Sequence, residues 1–184
     1  MTEIAETAKL SPAIERFILQ WGDMGTHWGV NRSVSQIHAL LYLSERALTA
    51  EEIAAALGIA RSNVSNSLKE LIGWDLIRRV PVRGDRRDHF EAESDIWEVF
   101  LRIAAGRKER EIDPVIAALR ACVAEAGRDR GVHAVTRERL GTMLDFVQMM
   151  DAWYSQMLSV PRTKLAGLIR LGARIASFLP GRKK

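Results

Sequence analysis

The sequence predicts a mainly α-helical protein: a winged helix-turn-helix carrying a small β-hairpin wing, flanked by long N- and C-terminal helices that serve dimerisation. Three observations between Thr49 and Glu93 predict it. A short amphipathic helix (TAEEIAAALG) precedes a tight turn, a second helix (ARSNVSNSLKELIGW) is crowded with small polar side chains, and a basic β-rich pair (LIRRVPVRGDRRDHFEAE) follows. In such a module the second helix enters a DNA major groove and the hairpin reaches toward a neighbouring groove.

Each element has its own local signal. Ser11-Pro12 starts a helix to about His27, with Ile14, Phe17, Ile18, Trp21, Met24 and Trp28 at helical spacing. Ser33 and Gln36 read as a capping box ahead of Ile37, Leu40, Leu41 and Leu43, and Thr49 and Glu52 read as another ahead of Ile53, Ala54 and Leu57, which Gly58 terminates. In the next helix, about 60–73, Val64, Leu68, Leu71 and Ile72 share one face and leave Arg61, Ser62, Asn63, Ser65, Asn66 and Lys69 wholly or partly outward. Ser and Asn cost helix stability because they compete with the backbone for hydrogen bonds. Close approach to base edges and phosphates by short hydroxyl and amide groups gives that cost a return, with Arg61 and Lys69 supplying charge.

The wing rests on Leu76, Ile77, Val80 and Val82, a turn-forming tip around Gly84, and His89 to Ala92, with Pro81 suiting an edge strand. Five arginines (Arg78, Arg79, Arg83, Arg86, Arg87) face one carboxylate, Asp85, between 78 and 87. Arg83, Arg86 and Arg87 are the candidate wing contacts, and Asp85 can hold an arginine fork in place. A charged, solvated hairpin tip is the plainer alternative.

Residues LTAEEIAAALGIARSNVSNSLKELIGWDLIRRV and GDRRDHFEAE resemble the GbsR branch of the MarR-type bacterial transcriptional regulators, over about residues 10 to 125 and most strongly from Leu48 to Trp97. The resemblance implies a homodimeric winged-helix protein. It places Arg61, Ser62, Asn63 and Asn66 at recognition-helix positions that contact DNA, and Asp85 and Arg87 on the wing's Asp-x-Arg pattern. Ala60 stands where relatives commonly carry a capping Ser or Thr, so either Ser62 substitutes or the helix starts later. Members of this branch commonly answer to a small molecule, and relatives are associated with choline and osmoprotectant metabolism. Trp21, Trp28, Trp97, Phe100 and Trp153 are therefore a possible cage for a quaternary ammonium, although aromatics at helical spacing are more often core.

The expected organisation is an N-terminal supporting helix (1–32), the winged module (33–93), and a helical dimerisation and possible effector-sensing region (94–184). In the last, Ile96, Trp97, Phe100, Leu101, Ile103 and Ala104 form a stripe, Asp113-Pro114 suggests a kink, and Leu140, Met143, Val147, Met150, Tyr154 and Met157 form a coiled-coil-like seam with Leu144, Asp151 and Leu158 adjoining. That seam packs either on the first helix or across a two-fold axis. Residues from Pro161 to Lys184 carry Arg162, Lys164, Arg170, Arg174, Arg182, Lys183 and Lys184 and no acid, which reads as a terminal helix docked by its apolar stripe.

Composition narrows the class. The 184 residues are 47% apolar and 27% charged with a net charge of +4, as befits a folded protein with a modest basic excess. An acidic start and the lack of a long apolar run argue for a cytoplasmic protein without a membrane span. The single cysteine, Cys122, excludes an intrachain disulfide and reads as a small buried hydrophobe, with an intersubunit bridge or a redox role left open. Histidines 27, 38, 89 and 133 are scattered and no phosphate-binding glycine loop follows a strand, so neither enzyme chemistry, a metal nor a cofactor is expected. Duplex DNA, a second copy of the chain and a small-molecule effector are the expected partners. The alternative from another class is a winged-helix module for protein interaction or assembly.

Overall fold

The computed structural model describes residues 10–172, which divide into two compact units, one reaching Arg102 and the other beginning at Ile103. Elements run α1 (Pro12–His27), α2 (Arg32–Leu43), β1 (Leu48–Thr49), α3 (Ala50–Leu57), α4 (Arg61–Gly73), β2 (Ile77–Val82), β3 (Asp85–Ala92), α5 (Ile96–Arg107), a π-helical turn (Lys108–Ile112), α6 (Asp113–Arg128), α7 (Ala134–Ser159) and α8 (Arg162–Leu171). No described helix is long and apolar enough to cross a membrane.

In the first unit α1 starts as expected, with Ser11 Oγ accepting from the Ile14 amide at 3.4 Å. The start of α2 differs. Asn31 is the cap, its Oδ1 accepting from the Ser33 amide at 2.9 Å, because the helix begins before the Ser33–Gln36 pair could box it. Ile37, Ile53 and Val64 are wholly enclosed and bring α2, α3 and α4 onto one core with Leu40, Leu68, Leu71 and Phe90. The sheet has three antiparallel strands in the order β1-β3-β2, one more than the hairpin expected, since Leu48 and Thr49 pair with Phe90 and His89. Pro81 lies at the irregularity between Val80 and Val82 on edge strand β2, where its missing N–H costs no ladder bond.

Two close approaches fix α1 on α2. Gly22 and Gly25 are buried on α1, with Gln36 and Ser35 of α2 immediately opposite. Farther along, Phe17 and Trp21 stack at 5.5 Å between centroids, and the buried His38 ring lies between Trp21 at 6.4 Å and Tyr42 at 6.3 Å. His38 Nε2 has no hydrogen-bond partner, and burial lowers the pKa from 6.5 to about 4. The folded state therefore holds the imidazole neutral while the unfolded chain takes up a proton, so stability is full above about pH 6.5 and is lost as pH falls toward 4. At 1.36 kcal/mol per unit the loss amounts to about 3 kcal/mol. Urea midpoints measured from pH 7 to 4.5 are expected to fall steeply for the wild type and weakly for His38→Leu; equal slopes would remove His38 as the cause. Glu52, whose pKa its Arg46 hydrogen bond lowers to about 2, acts in a separate and lower window.

In the second unit α6 and α7 pack together through Ile116, Ala126, Leu140, Leu144, Val147, Tyr154 and Leu158, which are buried or half-buried. This corrects the expected seam: Met143 and Met150 are exposed, and the packed row runs through the adjoining Leu144 and Leu158. Asp151 tolerates this row because Lys108 Nζ stands 2.9 Å from Oδ1, and Tyr154 Oη donates to the Ala104 carbonyl at 3.0 Å. The backbone stays right-handed helical through Asp113-Pro114, and the π-helical turn just before it absorbs the amide that proline lacks. Cys122 is exposed, since α6 turns Ile116, Leu119, Val123 and Ala126 inward instead. The α5 stripe also differs: Val99 and Ala104 are the buried residues, whereas Ile96 and Phe100 are exposed. The basic terminal helix is seen as α8 with Leu165 buried; Arg174, Ile175, Phe178, Leu179, Arg182, Lys183 and Lys184 lie outside the described residues.

Candidate nucleic-acid interface

The interface is built from the turn that delivers α4. Thr49 Oγ1 accepts from the Glu52 amide at 3.3 Å, Glu52 Oε2 accepts from the Thr49 amide at 2.7 Å, and Arg46 grips Glu52 Oε1 at 2.6 Å. This is the capping box expected from sequence. Gly58 closes α3 in the left-handed region with φ of 64°, where a Cβ would be strained. Helix α4 then begins at Arg61, with Ala60 as an N-cap that offers no side-chain acceptor, so Ser62 does not substitute and the start is not delayed.

Ser62, Ser65, Asn66 and Lys69 are exposed along α4, and Arg61 is exposed with its guanidinium 2.5 Å from Glu51 of α3. Asn63 is different in kind. It is half-buried, its Nδ2 donates to Ser33 Oγ of α2 at 2.8 Å, and its Oδ1 accepts from buried Ser67 at 3.5 Å. These bonds use Asn63 as a brace between α2 and α4, which leaves a four-residue polar row facing outward.

At the other edge, Gly84 takes φ of 86° in the turn joining β2 to β3. Asp85 Oδ1 accepts from the Arg87 amide at 2.9 Å, and both carboxylate oxygens lie 3.0 Å from Arg87 Nε. The Arg87 side chain, and then its amide, hold the Asp85 carboxyl well below the usual carboxylate range, so the pair stays ionised at any working pH. An exposed pair of this kind contributes little to stability; what it fixes is the direction of the fork. Arg79 is tethered less tightly, 3.5 Å from Asp88 and 5.8 Å over the Phe90 ring. Arg83, Arg86 and Lys69 are exposed cations with no partner among the described residues.

Between α4 and the sheet lies a cleft of about 260 Å³ whose cationic wall is Arg61, Lys69, Arg79 and Arg87, with Ser65 and Asp88 beside them. Arg79 belonged to the arginine cluster read from sequence without being singled out. The period-two alternation that puts it across the ladder from buried Phe90 was the available signal. The sequence-expected cage residues are distributed over both units. Trp21 is occupied by the Phe17 stack, Trp97 is half-buried, and Trp28, Phe100 and Trp153 are exposed. Among the described residues no group of three or more His, Cys, Asp or Glu could hold a metal ion.

Comparison with known proteins gives three findings. Residues 28–88 match the model of the MarR family. The chain is 24% identical over 119 residues to the HTH-type transcriptional repressor GbsR of Bacillus subtilis (strain 168), covering 65% of this chain and 66% of that one. It is 23% identical over 78 residues to the HTH-type transcriptional repressor OpcR of the same organism, covering 42% of each. A crystal structure of a transcriptional regulator superposes with a TM-score of 0.61 at 21% identity, covering 80% of this chain and 96% of the other, and has the same fold.

Proposed function

We propose that this chain, a member of the MarR family through residues 28–88, is a transcriptional regulator that binds duplex DNA sequence-specifically as a homodimer and acts as a repressor. One observation carries the reading: Ser62, Ser65, Asn66 and Lys69 form an exposed polar row on α4, in the same unit as a wing tip with unpaired Arg83 and Arg86. Asn66 has the donor and acceptor that read an adenine edge in the major groove, and the serines adapt to bases or phosphates. The tip arginines suit a narrow, electronegative minor groove. Arg87, oriented by Asp85, serves as a phosphate contact that positions the module without reading sequence.

The repressor sense follows the printed names of GbsR and OpcR. The homodimer is supported by α7, whose exposed Met143, Phe146, Met150 and Trp153 lack a covering element within their unit. A quaternary ammonium such as choline is the proposed effector, with the exposed rings of Trp28, Phe100 and Trp153 as its candidate contacts; Trp21 is already engaged. No catalytic step forms part of the proposal.

A gel shift with DNA from upstream of the chain's own gene tests it. Affinity is expected to fall steeply between 50 and 200 mM salt; Arg87→Ala should weaken binding about fivefold to tenfold and reduce the salt slope by about one. Asp85→Asn keeps the charge but frees the fork, and should lose less. Binding that ignores both salt and Arg87 would favour a protein-interaction module, and the same titration with choline added tests the effector.

A further inference from the structure

We propose that Arg102 is a positioning residue through which α5 sets the orientation of α4 against the wing, and this rests on the DNA-binding reading above. Helix α4 ends in a turn that closes on itself: the Asp75 amide donates to the Ile72 carbonyl at 2.9 Å and the Leu76 amide to the Leu71 carbonyl at 3.0 Å. That pattern places Asp75 in the left-handed region, at φ of 56°, where glycine is the usual occupant. Asp75 is the only described non-glycine residue with positive φ.

The Arg102 guanidinium holds this turn. Its Nη1 donates to the Asp75 carbonyl and stands 3.3 Å from Asp75 Oδ2. Its Nη2 reaches Glu93 Oε2 at 3.1 Å, at the exit of β3, and its Nε lies 3.3 Å from Glu98 Oε1, one turn back on α5. One half-buried planar fork thereby joins the C-terminal end of the proposed recognition helix, the strand that leaves the wing, and the following helix. Glu93 is also fixed through its backbone, donating to the Leu76 carbonyl at 3.0 Å, so the groups Arg102 gathers already form one corner of the unit. A lysine has a single point charge and cannot satisfy three directions at once. Reading two grooves together requires α4 and the wing to keep a fixed spacing, and Arg102 closes the corner that sets it. A shift of α5 along its axis would therefore be felt at the end of α4.

The test uses the full chain with the upstream duplex, and Arg87→Ala as a control. Arg102→Ala is expected to weaken DNA binding about tenfold with an unchanged slope of log affinity against log salt, because Arg102 touches no phosphate. Arg102→Lys should recover only part of the loss, and Asp75→Gly should bind as the wild type, since glycine suits the turn and retains the carbonyl. Amide exchange should accelerate at residues 74–78 and 93–98 and stay slow in α1 and α2. Arg102→Ala binding within twofold of wild type, a salt slope reduced by one, or acceleration across the whole unit would overturn the assignment. Should Arg102→Ala not fold, Arg102→Lys and Glu93→Gln decide it, both being expected to weaken binding twofold to fivefold, with wild-type affinity in both counting against it. If Arg87→Ala also binds as wild type, it is the DNA-binding reading that fails.

Discussion

Gly25→Ala is expected to destabilise the protein by about 3 kcal/mol, a loss in the upper range for overpacking a core. Helix propensity alone points the other way, because alanine in a helix interior is favoured over glycine by about 1 kcal/mol. Sterics decide the sign. A Cβ on Gly25 would stand 1.9 Å from Ser35 Oγ and 2.7 Å from Ser35 Cβ. Rotating the serine removes the first clash but not the second, since Cβ is fixed to the α2 backbone. Relief needs α1 and α2 to separate, which would open the packing around Ile18 and Ile37. Gly22 provides the internal control: its added Cβ would come within 2.7 Å of Gln36 Cγ, part of a flexible, half-buried side chain that can swing away. Thermal melts followed by circular dichroism should place Gly25→Ala well below the wild type and Gly22→Ala near it. Adding Ser35→Gly to Gly25→Ala should restore most of the loss. A Gly25→Ala variant as stable as the parent would refute the close-contact account.

That contact also marks a boundary of what could be read from sequence. Local chemistry was legible: the Thr49–Glu52 box, the Gly58 stop and the Asp85–Arg87 pair span three residues or fewer, so their geometry is set by the chain itself. Long-range pairing was not. Strand β1 is two residues long and exists because Phe90 and His89 come beside it, and Asn63 turned inward because Ser33, thirty positions earlier, offers it an acceptor. Nothing near Asn63 distinguishes it from Asn66, although one braces the scaffold and the other faces outward. Periodicity likewise found the apolar character of α7 but not which stripe packs, since two apolar rows share that helix and only the position of α6 separates them. Cys122 was misplaced for the same reason: the α6 pattern admits more than one inward face, and the one used puts the thiol outside.

The second apolar row of α7 leads to the largest functional effect. Met143, Phe146, Met150 and Trp153 recur at spacings of three and four and are 57%, 58%, 45% and 55% exposed, on a helix of 26 residues with no fully buried side chain. Leaving so many large apolar groups in water is costly at about 25 cal/mol per Å², and a matching row from a second copy would cover them as knobs into holes. Under the proposed homodimer, Phe146→Asp with Met150→Asp should convert a dimer into a monomer in sedimentation equilibrium while helix content is kept, because the row facing α6 is untouched. Duplex affinity should then fall a hundredfold or more, since a monomer engages one half-site and loses the local concentration that the second subunit gives. This exceeds the loss from any single contact such as Arg87, which removes one phosphate interaction from a complex that remains bivalent. A variant that stays dimeric would assign the row another role, and a wild type that sediments as a monomer would remove the two-fold arrangement itself.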